Sequence, residues 1–326
     1  VRADASSDSG AAKTLKILNA LNSDINLDTS ITPDFSSQTG DVTNGLYESV
    51  DDFGATYYFR GNVENNYVKF ANFYWRIIRI NGDGTLRLIY AGTEPHENGY
   101  DDYTLGDTVL SNENGNYAYV FNDAADDITY VGYMTGTVGA STYTEANSNT
   151  TDSSIKTVLD TWYRDNLMGY DSLIADTIYC NDRSMVDINA GDTYNGGNIA
   201  YDYVERINTQ LTPTLKCTNK NDKFTISSSI GNGKLTYPIG LPTADEIWMS
   251  GVSGSPSAGT SYIENNTAFW TMTPYEYDDN AYMAIYGFGD NSSLSRTSKS
   301  RSNIYIDFNT NYIGIRPVIS IYPSRL

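Results

Sequence analysis

Histidine and cysteine are scarce in this chain, which narrows the chemistry open to it. The 326 residues include one histidine, His96, and two cysteines, Cys180 and Cys217. A Ser-His-Asp triad or a Cys-His pair would have to use His96, which lies in the polar stretch TEPHENGYDD, a context typical of a solvated loop. One histidine and two distant cysteines also offer no close-spaced pair of zinc ligands. The sequence predicts neither a catalytic site of these kinds nor a metal site.

Basic residues are also few, since 21 Lys and Arg face 40 Asp and Glu, for a formal net charge of −19. A phosphate backbone would be repelled by such a chain, and counterion release could not drive binding. We therefore expect no nucleic-acid partner. An acidic, hydroxyl-rich surface suits a soluble protein in an extracellular medium, so the expected location is extracellular or at a cell surface.

Long apolar runs and phosphate-binding glycine motifs are missing as well. The sequence has no run of about 18 apolar residues and no charged-then-apolar leader, so it predicts no membrane span, although a leader or anchor could have been removed. Neither GxxxxGK[ST] nor GxGxxG follows an expected strand, and we expect no cofactor. The stretches NGYDDY and NGDGT carry oxygen ligands but do not match a calcium loop, which favours ordinary turns.

The two cysteines lie beside polar turn residues, in IYCNDRS and TLKCTNKND. In a secreted chain this context predicts a disulfide between Cys180 and Cys217. It would close a loop of about 37 residues and stabilise the fold by ~3 to 4 kcal/mol in the chain-entropy description. The alternative is that the two cysteines are unrelated small buried residues.

Helical signals are limited to three places, and the composition favours strands and loops. Apolar spacing predicts a helix at 11–22, followed by a polar linker at 23–41. A second helix is predicted in TDSSIKTVLDTWYRDNL, capped by Asp152 or Ser153. A third begins at Thr243, which forms a capping box with Glu246. With 28 Tyr and 27 Gly, the rest indicates an α+β protein.

Strand signals begin at Tyr57, with YYFRGNV. The runs YVKFANFYWRIIRI and TLRLIYAG flank an NGDG turn and predict a hairpin. Residues 93–150 are polar, with short apolar pieces such as YAYVF and ITYVGYM, and indicate long loops with brief strands. AFWTM, AYMAIYGF, NIYIDF and IGIRPVISIY predict strands near the end. We expect a helix and linker at 1–45 and one domain with polar insertions at 46–326.

Residues 275–312 have an unusual composition, with six Tyr, five Asn, six Ser and four Asp between apolar flanks. Tyrosine gives large contact area at low entropic cost, and Ser and Asn give adaptable hydrogen bonds, as in antibody loops. Altering the adenines of an AAC codon can give fifteen residue types but never Lys, Glu, Gln, Met or Trp. In this segment only Glu276, Met283 and Lys299 belong to that excluded set. These features predict a binding segment on a stiff scaffold; the alternative is a polar hairpin with ordinary turn residues.

Short motifs in the last third of the chain resemble a known group. GLPTADEIWMSG is similar to the helix start of formylglycine-generating-enzyme-like proteins, and FWTMTP with GIRPVISI resembles the closing strands of that C-type lectin-like group. A polar segment before a terminal GxRPV resembles the variable proteins of diversity-generating retroelements, of the bacterial surface or pilin-associated type. The resemblance implies a C-type lectin-like fold with short antiparallel sheets, two or three helices and long loops, and a surface-displayed ligand binder.

Two departures from that group limit what the resemblance implies. Residues 240–326 contain no cysteine, so the cysteine-dependent catalysis of the enzymes does not carry over. The Glu-Pro-Asn and Gln-Pro-Asp motifs of calcium-dependent lectins are absent, so neither does metal-dependent sugar binding. We expect a protein that is not an enzyme. Its expected partner is an unknown protein or glycan on another cell, a host or a phage, with attachment to a pilus or cell envelope as a further option.

The predicted contact residues combine aromatic anchors with small polar neighbours. They are Tyr275, Tyr277, Asp278, Asp279, Tyr282, Tyr286, Phe288, Asp290, Asn291, Ser293, Ser295, Arg296, Ser298, Ser300, Ser302 and Tyr305. Strand alternation means that about half of them could face the core instead. Two other functions stay open: a structural or tip subunit of a surface filament, and a carbohydrate-active enzyme using Asp245 with Glu246 or Asp278 with Asp279.

Overall fold

The structure is a computed structural model. It describes both cysteines and the strands that flank the predicted binding segment. The described residues are 10–21, 33, 35, 45–64, 66–94, 108–111, 119–186, 199–251, 261–263, 268–277, 281–286, 294–297 and 313–325. Four predicted features fall wholly or largely outside these ranges: the linker at 23–41, His96, the NGYDDY turn and the NIYIDF strand.

The described chain forms short strands and few long helices. The strands are β1 Gly45–Asp51, β2 Gly54–Arg60, β3 Tyr67–Phe70, β4 Phe73–Ile80, β5 Leu86–Tyr90, β6 Met134–Thr135, β7 Thr151–Asp152, β8 Tyr179–Cys180, β9 Ile199–Ala200, β10 Lys223–Phe224, β11 Ala268–Tyr277, β12 Ala281–Tyr286, β13 Leu294–Thr297, β14 Ile313–Gly314 and β15 Val318–Ile321. The α-helices are α1 Gly10–Leu21, α2 Tyr143–Ala146, α3 Ser154–Asn166, α4 Asp202–Glu205 and α5 Ala244–Met249. Short 3-10 turns lie at Ile128–Tyr130, Met168–Leu173, Lys220–Asp222 and Pro323–Arg325, and a π-turn lies at Arg206–Gln210.

The first sheet is antiparallel and has the order β1-β2-β4-β5-β15, with β3 added to β4. All five residues of β5 are buried, as are the last six residues of β4, so these two strands are covered on both faces. The predicted turn between them closes through a hydrogen bond from the Gly84 amide to the Asn81 carbonyl oxygen, at 2.8 Å. The hairpin prediction around NGDG is confirmed.

One predicted strand is two strands in the structure. The run YVKFANFYWRIIRI turns back on itself at Ala71 and Asn72, whose φ angles are 51° and 66°. Phe70 then lies opposite Phe73, and a two-residue turn joins β3 and β4 into a hairpin. Two consecutive positive φ angles define a tight hairpin turn, which asparagine tolerates and alanine rarely adopts. The prediction of a single strand was wrong because Asn72 was the one turn signal in an apolar run.

The second sheet has the order β13-β12-β11-β14, with β9 added to β11. β11 and β14 are parallel, with Ala268 opposite Ile313, and the other pairs are antiparallel. The ladder between β11 and β12 shifts register on both sides of Pro274. Proline has no amide hydrogen to donate, so a bulge at this position is expected.

The three predicted helices are present, and α3 and α5 have the caps that the sequence indicated. Ser153 caps α3 by accepting a hydrogen bond from the Lys156 amide. Thr243 and Glu246 form the complete capping box of α5, and all six residues of that helix are buried. The short helices α2 and α4 were not predicted, because four residues are too few to show an apolar period.

The N-terminal helix α1 packs into the main core. Ala11, Leu15 and Leu18 belong to the same hydrophobic cluster as the strands of both sheets. The Thr14 hydroxyl donates to the Gly84 carbonyl oxygen at 2.6 Å, which ties α1 to the turn after β4. A side chain at Gly10 would meet the Asp83 backbone at 2.4 Å, so the close approach of helix and turn requires glycine.

The region predicted as long loops contains little regular structure. Within it, β6 pairs with β7, which follows directly after the region, and ITYVGYM forms a 3-10 turn before β6. The described part of YAYVF, 119–121, forms no strand. With several small, mostly antiparallel sheets and few helices, the fold is α+β as predicted. Among the described helices, none has both the length and the apolar character that crossing a bilayer requires.

A disulfide joins Cys180 and Cys217, with an S–S distance of 2.03 Å. The residues between them, 181–216, are called the strap below; the structure describes 181–186 and 199–216 of it. Cys180 is the last residue of β8, which pairs with β10. The strap contains β9 and α4, so the disulfide closes a loop that reaches the second sheet.

Candidate functional site

The predicted contact residues begin on β11 and continue along β12 and β13. Tyr275 and Tyr277 lie on β11, Tyr282 and Tyr286 on β12, and Ser295 and Arg296 on β13. The others lie outside the described residues: Asp278, Asp279, Phe288, Asp290, Asn291, Ser293, Ser298, Ser300, Ser302 and Tyr305.

Tyr275 and Tyr277 occupy different environments although they are two residues apart. Tyr275 is half-buried, and its ring meets the Tyr203 ring edge-on with 6.3 Å between centroids. Tyr277 is 5% exposed and belongs to the main hydrophobic core. The assignment of Tyr277 as an exposed contact residue is therefore corrected to a core position. Register shifts on both sides of Pro274 interrupt the alternation of faces along β11, so residues two apart need not share one environment.

The backbones of β12 and β13 form a regular ladder. Ala284 lies opposite Arg296, and Ile285 lies opposite Ser295. On β12, Ala281 and Met283 are each 3% exposed, so one face of this strand contacts the core. Residues directly opposite each other on an antiparallel pair lie on the same face of the sheet. The ladder thus relates each position of β13 to one on β12.

The strap supports the end of β11 at the point where the predicted binding segment begins. Ala200 of β9 lies opposite Glu276, and Ile199 lies opposite Tyr277. The Tyr201 amide donates to the Tyr275 carbonyl oxygen at 3.2 Å. This end of β11 is therefore held by β9 as well as by its partner β12.

A cleft lined by ionised side chains lies between the strap and the first sheet. Arg79 of β4 and Arg87 of β5 are directly opposite each other, an arrangement in which two like charges repel. Glu246 of α5 contacts both, with its Oε1 3.2 Å from the Arg79 Nε and its Oε2 3.3 Å from an Arg87 terminal nitrogen. Asp51 accepts from Arg79 at 2.5 Å. The two arginines are thus neutralised by two buried carboxylates.

Arg206 of the strap forms a second group of ion pairs in the cleft. Its guanidinium lies 2.7 Å from Asp182 and 2.9 Å from Asp245, the second residue of α5. The Thr214 amide also donates to Asp245, at 3.0 Å. These contacts fix the strap against α5, which itself packs between β2 and the second sheet.

The adjacent acids Asp245 and Glu246 have opposite pKa shifts. Burial raises the pKa of Asp245 above its ordinary value, and the Arg206 charge opposes this in part. For Glu246 burial acts in the same direction, but Arg87, Arg79 and a hydrogen bond from the Thr243 amide outweigh it and lower its pKa. One helix start therefore presents a carboxylate held ionised beside one whose ionisation is opposed by burial.

The cleft has a free volume of about 30 Å³, room for one or two water molecules. Asn81 lines it and is 1% exposed. The Asn81 amide nitrogen donates to Thr85 and Ser320, whereas its Oδ1 has no hydrogen-bond partner among the described residues. The arrangement is an ion-pair network that connects the strap, α5 and the first sheet.

The residues considered for catalysis or metal binding are placed as follows. Asp245 and Glu246 are both engaged in ion pairs with arginine, while Asp278, Asp279 and His96 lie outside the described residues. Within the described ranges, no three His, Cys, Asp or Glu side chains are grouped closely enough to hold a metal ion. In NGDGT, Asp83 accepts hydrogen bonds from the Thr85 amide and hydroxyl, as expected for a turn.

The disulfide-closed loop is confirmed, but its contacts with both sheets and the charged cleft were not predicted. Arginines in the apolar runs WRIIRI and LRLIY were a signal, because a buried guanidinium requires acceptors. The choice of Asp51 and Glu246 as partners depends on the fold. Comparison with known protein families, with curated proteins and with solved structures finds no match to this chain.

Proposed function

We propose that this chain is a surface-displayed ligand-binding protein of the C-type lectin-like kind, in which residues 275–312 form a diversified binding face. The observation that carries the proposal is the anchoring of the segment at both ends. Before it, Phe269, Trp270 and Met272 of β11 are fully buried. After it, Ile315 and Val318 are fully buried too. A segment held between two such anchors can change in sequence, apart from its core residues Tyr277, Ala281 and Met283, with little effect on the core.

The strand that leads into the segment starts beside the strand that follows the segment. Ala268 at the start of β11 is opposite Ile313 of β14, and Val318 in the next strand belongs to the first sheet. The segment begins at Tyr275, near the other end of β11, and the chain returns to the start of that strand before it crosses into the other sheet. This geometry supports a display role, because buried strands flank the segment on both sides.

The chemistry of the proposed contact residues suits a protein or glycan ligand. Tyr282 and Tyr286 offer flat amphipathic rings, and Arg296 offers a fork of donors, the residue types that dominate binding energy in interfaces. The Ser and Asn residues of the segment would adjust hydrogen bonding to each ligand. Many different targets could be bound by one scaffold in this way.

A double substitution tests the proposal at the expected anchors. Tyr286→Ala with Phe288→Ala should weaken binding to a printed glycan array and to immobilised bacterial and host cells by at least about tenfold, since interface anchors often contribute more than 1.4 kcal/mol each. The melting temperature should stay nearly unchanged. Tyr277→Ala is the matched control, and it should lower the melting temperature because Tyr277 is in the core. Loss of stability in the double variant would instead place its two residues in the core.

The genes offer an independent test. A diversified segment requires sibling sequences that differ within 275–312 and agree in the flanking strands. The genome should also carry a reverse transcriptase beside a near-copy of this region, with differences at adenines. Sibling genes that are invariant in 275–312 would contradict the proposal.

A further inference from the structure

The strap links the first sheet to the base of the proposed binding face. Near its C-terminal end, Leu215 forms a parallel bridge with Asp51 of β1. The Cys217 amide donates to the Asp52 carboxylate at 2.8 Å. Its middle part supplies β9 to the second sheet, beside Tyr277. A single loop thus contacts both sheets, and one of its contacts is where residues 275–312 begin.

The secondary structure inside the strap is too short to be stable alone. β9 has two residues and α4 has four. Elements of this length form only when tertiary contacts hold them, because each hydrogen bond gained costs the ordering of several dihedral angles. What holds them is the disulfide, the buried ion pair of Arg183 with Asp222, the Arg206 ion pairs with Asp182 and Asp245, and the packing of Tyr203 on Tyr275.

The disulfide is the covalent link between the two ends of the strap. A cross-link over 37 positions removes much of the entropy that the open loop would have. The Arg206 pairs are largely buried, with side-chain exposures of 13% for Arg206, 11% for Asp182 and 5% for Asp245. Without the disulfide, β9 and Tyr203 would depend on noncovalent contacts alone.

The two sulfur atoms differ in accessibility. Cys180 is half-buried, whereas Cys217 is 2% exposed. A thiolate would therefore attack the Cys180 sulfur, form a mixed disulfide with it and release the Cys217 sulfur as a thiolate, which takes up a proton. A second thiol group of the reductant then frees Cys180 and forms the oxidised reductant. The Asp222 carbonyl oxygen, 3.6 Å from the Cys217 sulfur, can accept a hydrogen bond from the new thiol.

We propose that the strap is the brace that positions the start of the binding segment, and that reduction of the Cys180–Cys217 disulfide by a dithiol releases it. The inference rests on the proposed function, because it makes ligand binding sensitive to the redox state of the surroundings. In the oxidised form β9 and Tyr203 hold Tyr275 and Tyr277 in place. In the reduced form the end of β11 loses this support while the first sheet stays folded.

Hydrogen exchange followed by mass spectrometry tests the inference on the whole chain. Dithiothreitol should speed amide exchange in 199–206 and 275–277 by about a hundredfold, the order expected when a loop of this length loses its cross-link. Exchange in β4 and β5 should not change. The double variant Cys180→Ser with Cys217→Ser should exchange like the reduced protein and should not respond to dithiothreitol.

Two results would overturn the inference. One is unchanged exchange in 199–206 and 275–277 after reduction. The other is loss of protection in every strand together, which would make the disulfide a general stabiliser of the fold. Titrating dithiothreitol on the unaltered chain distinguishes local from general loss of protection even if the double variant does not fold. The measurement needs no ligand, so its outcome is separate from that of the glycan-array experiment. If the reduced, strap-released protein kept its full array signal, binding would stand and the redox coupling would fail.

Discussion

At the scale of single residues, the feature that most constrains the molecule is the shared carboxylate of Glu246. It neutralises Arg79 and Arg87, which lie opposite each other on adjacent strands and would otherwise repel. Its side chain also completes the cap of α5 by accepting from the Thr243 amide at 3.0 Å. One side chain therefore joins the first sheet to the helix that supports the second.

Replacing Glu246 with glutamine should destabilise the fold by about 3–5 kcal/mol, since two buried guanidinium groups would lose a charged partner. The lowered pKa of Glu246 means that its contribution is present above the ordinary value of 4.5 and is lost as the pH falls through its folded pKa. Below pH 4.5 the difference between the two proteins should therefore shrink. Denaturant unfolding between pH 3 and 7, with the exposed Glu48→Gln as control, measures this; a pH-independent difference would contradict it.

Tyr275 and Tyr277 should respond differently to truncation. Tyr277→Ala removes a ring from the core and should cost about 3–5 kcal/mol, whereas Tyr275→Ala, at a half-buried ring, should cost about 1 kcal/mol. Urea unfolding of the two variants under one set of conditions provides the comparison. Equal losses would mean that the two rings are equally buried.

At the scale of elements, the cap of α5 is a compact test of how local sequence defines structure. Thr243→Ala removes the hydroxyl that accepts from the Glu246 amide at 3.1 Å. We expect a loss of about 1 kcal/mol, and Thr243→Ser should recover most of it because serine caps equally well. Thermal unfolding of the unaltered protein and of the two variants measures both differences in stability. If serine behaved like alanine, the threonine methyl group rather than the hydroxyl would be the stabilising part.

Helices and turns were the most predictable elements, because their signals are local. Ser153, Thr243 and Glu246 mark helix starts by their own side chains, and the NGDG sequence marks its turn by backbone preference. The split between β3 and β4 was missed because its turn contains Ala71, a residue that seldom adopts a positive φ angle. Local signals fail where the chain adopts a conformation that is unusual for its residues.

The strap and the cleft depend on contacts between residues far apart in the sequence. Arg87 and Glu246 are separated by 159 positions, and Lys223 pairs with Asp52 across 171. Periodicity predicts that a residue is buried, but it does not identify the partner of a buried charge. The burial of Tyr277 likewise depends on features the sequence does not show locally, the bulge at Pro274 and the pairing of β9 with β11.

At the scale of the whole molecule, the net charge of −19 determines how the chains behave toward one another. Mutual repulsion should keep them apart near pH 7, and this repulsion vanishes near the isoelectric point of about 4.2. We expect light scattering to rise sharply as the pH approaches 4 and to stay low between pH 6 and 8. Strong scattering at pH 7 would indicate an attractive surface that outweighs the charge.

The parallel contact between β11 and β14 has a consequence for engineering. Because Ala268 lies beside Ile313 while the segment begins at Tyr275, near the other end of β11, a replacement cassette has to run back along that strand, about 23 Å, whatever its length. Doubling the length of such an insert costs only about 0.6 kcal/mol in closure entropy. The framework should therefore accept grafted loops of very different lengths.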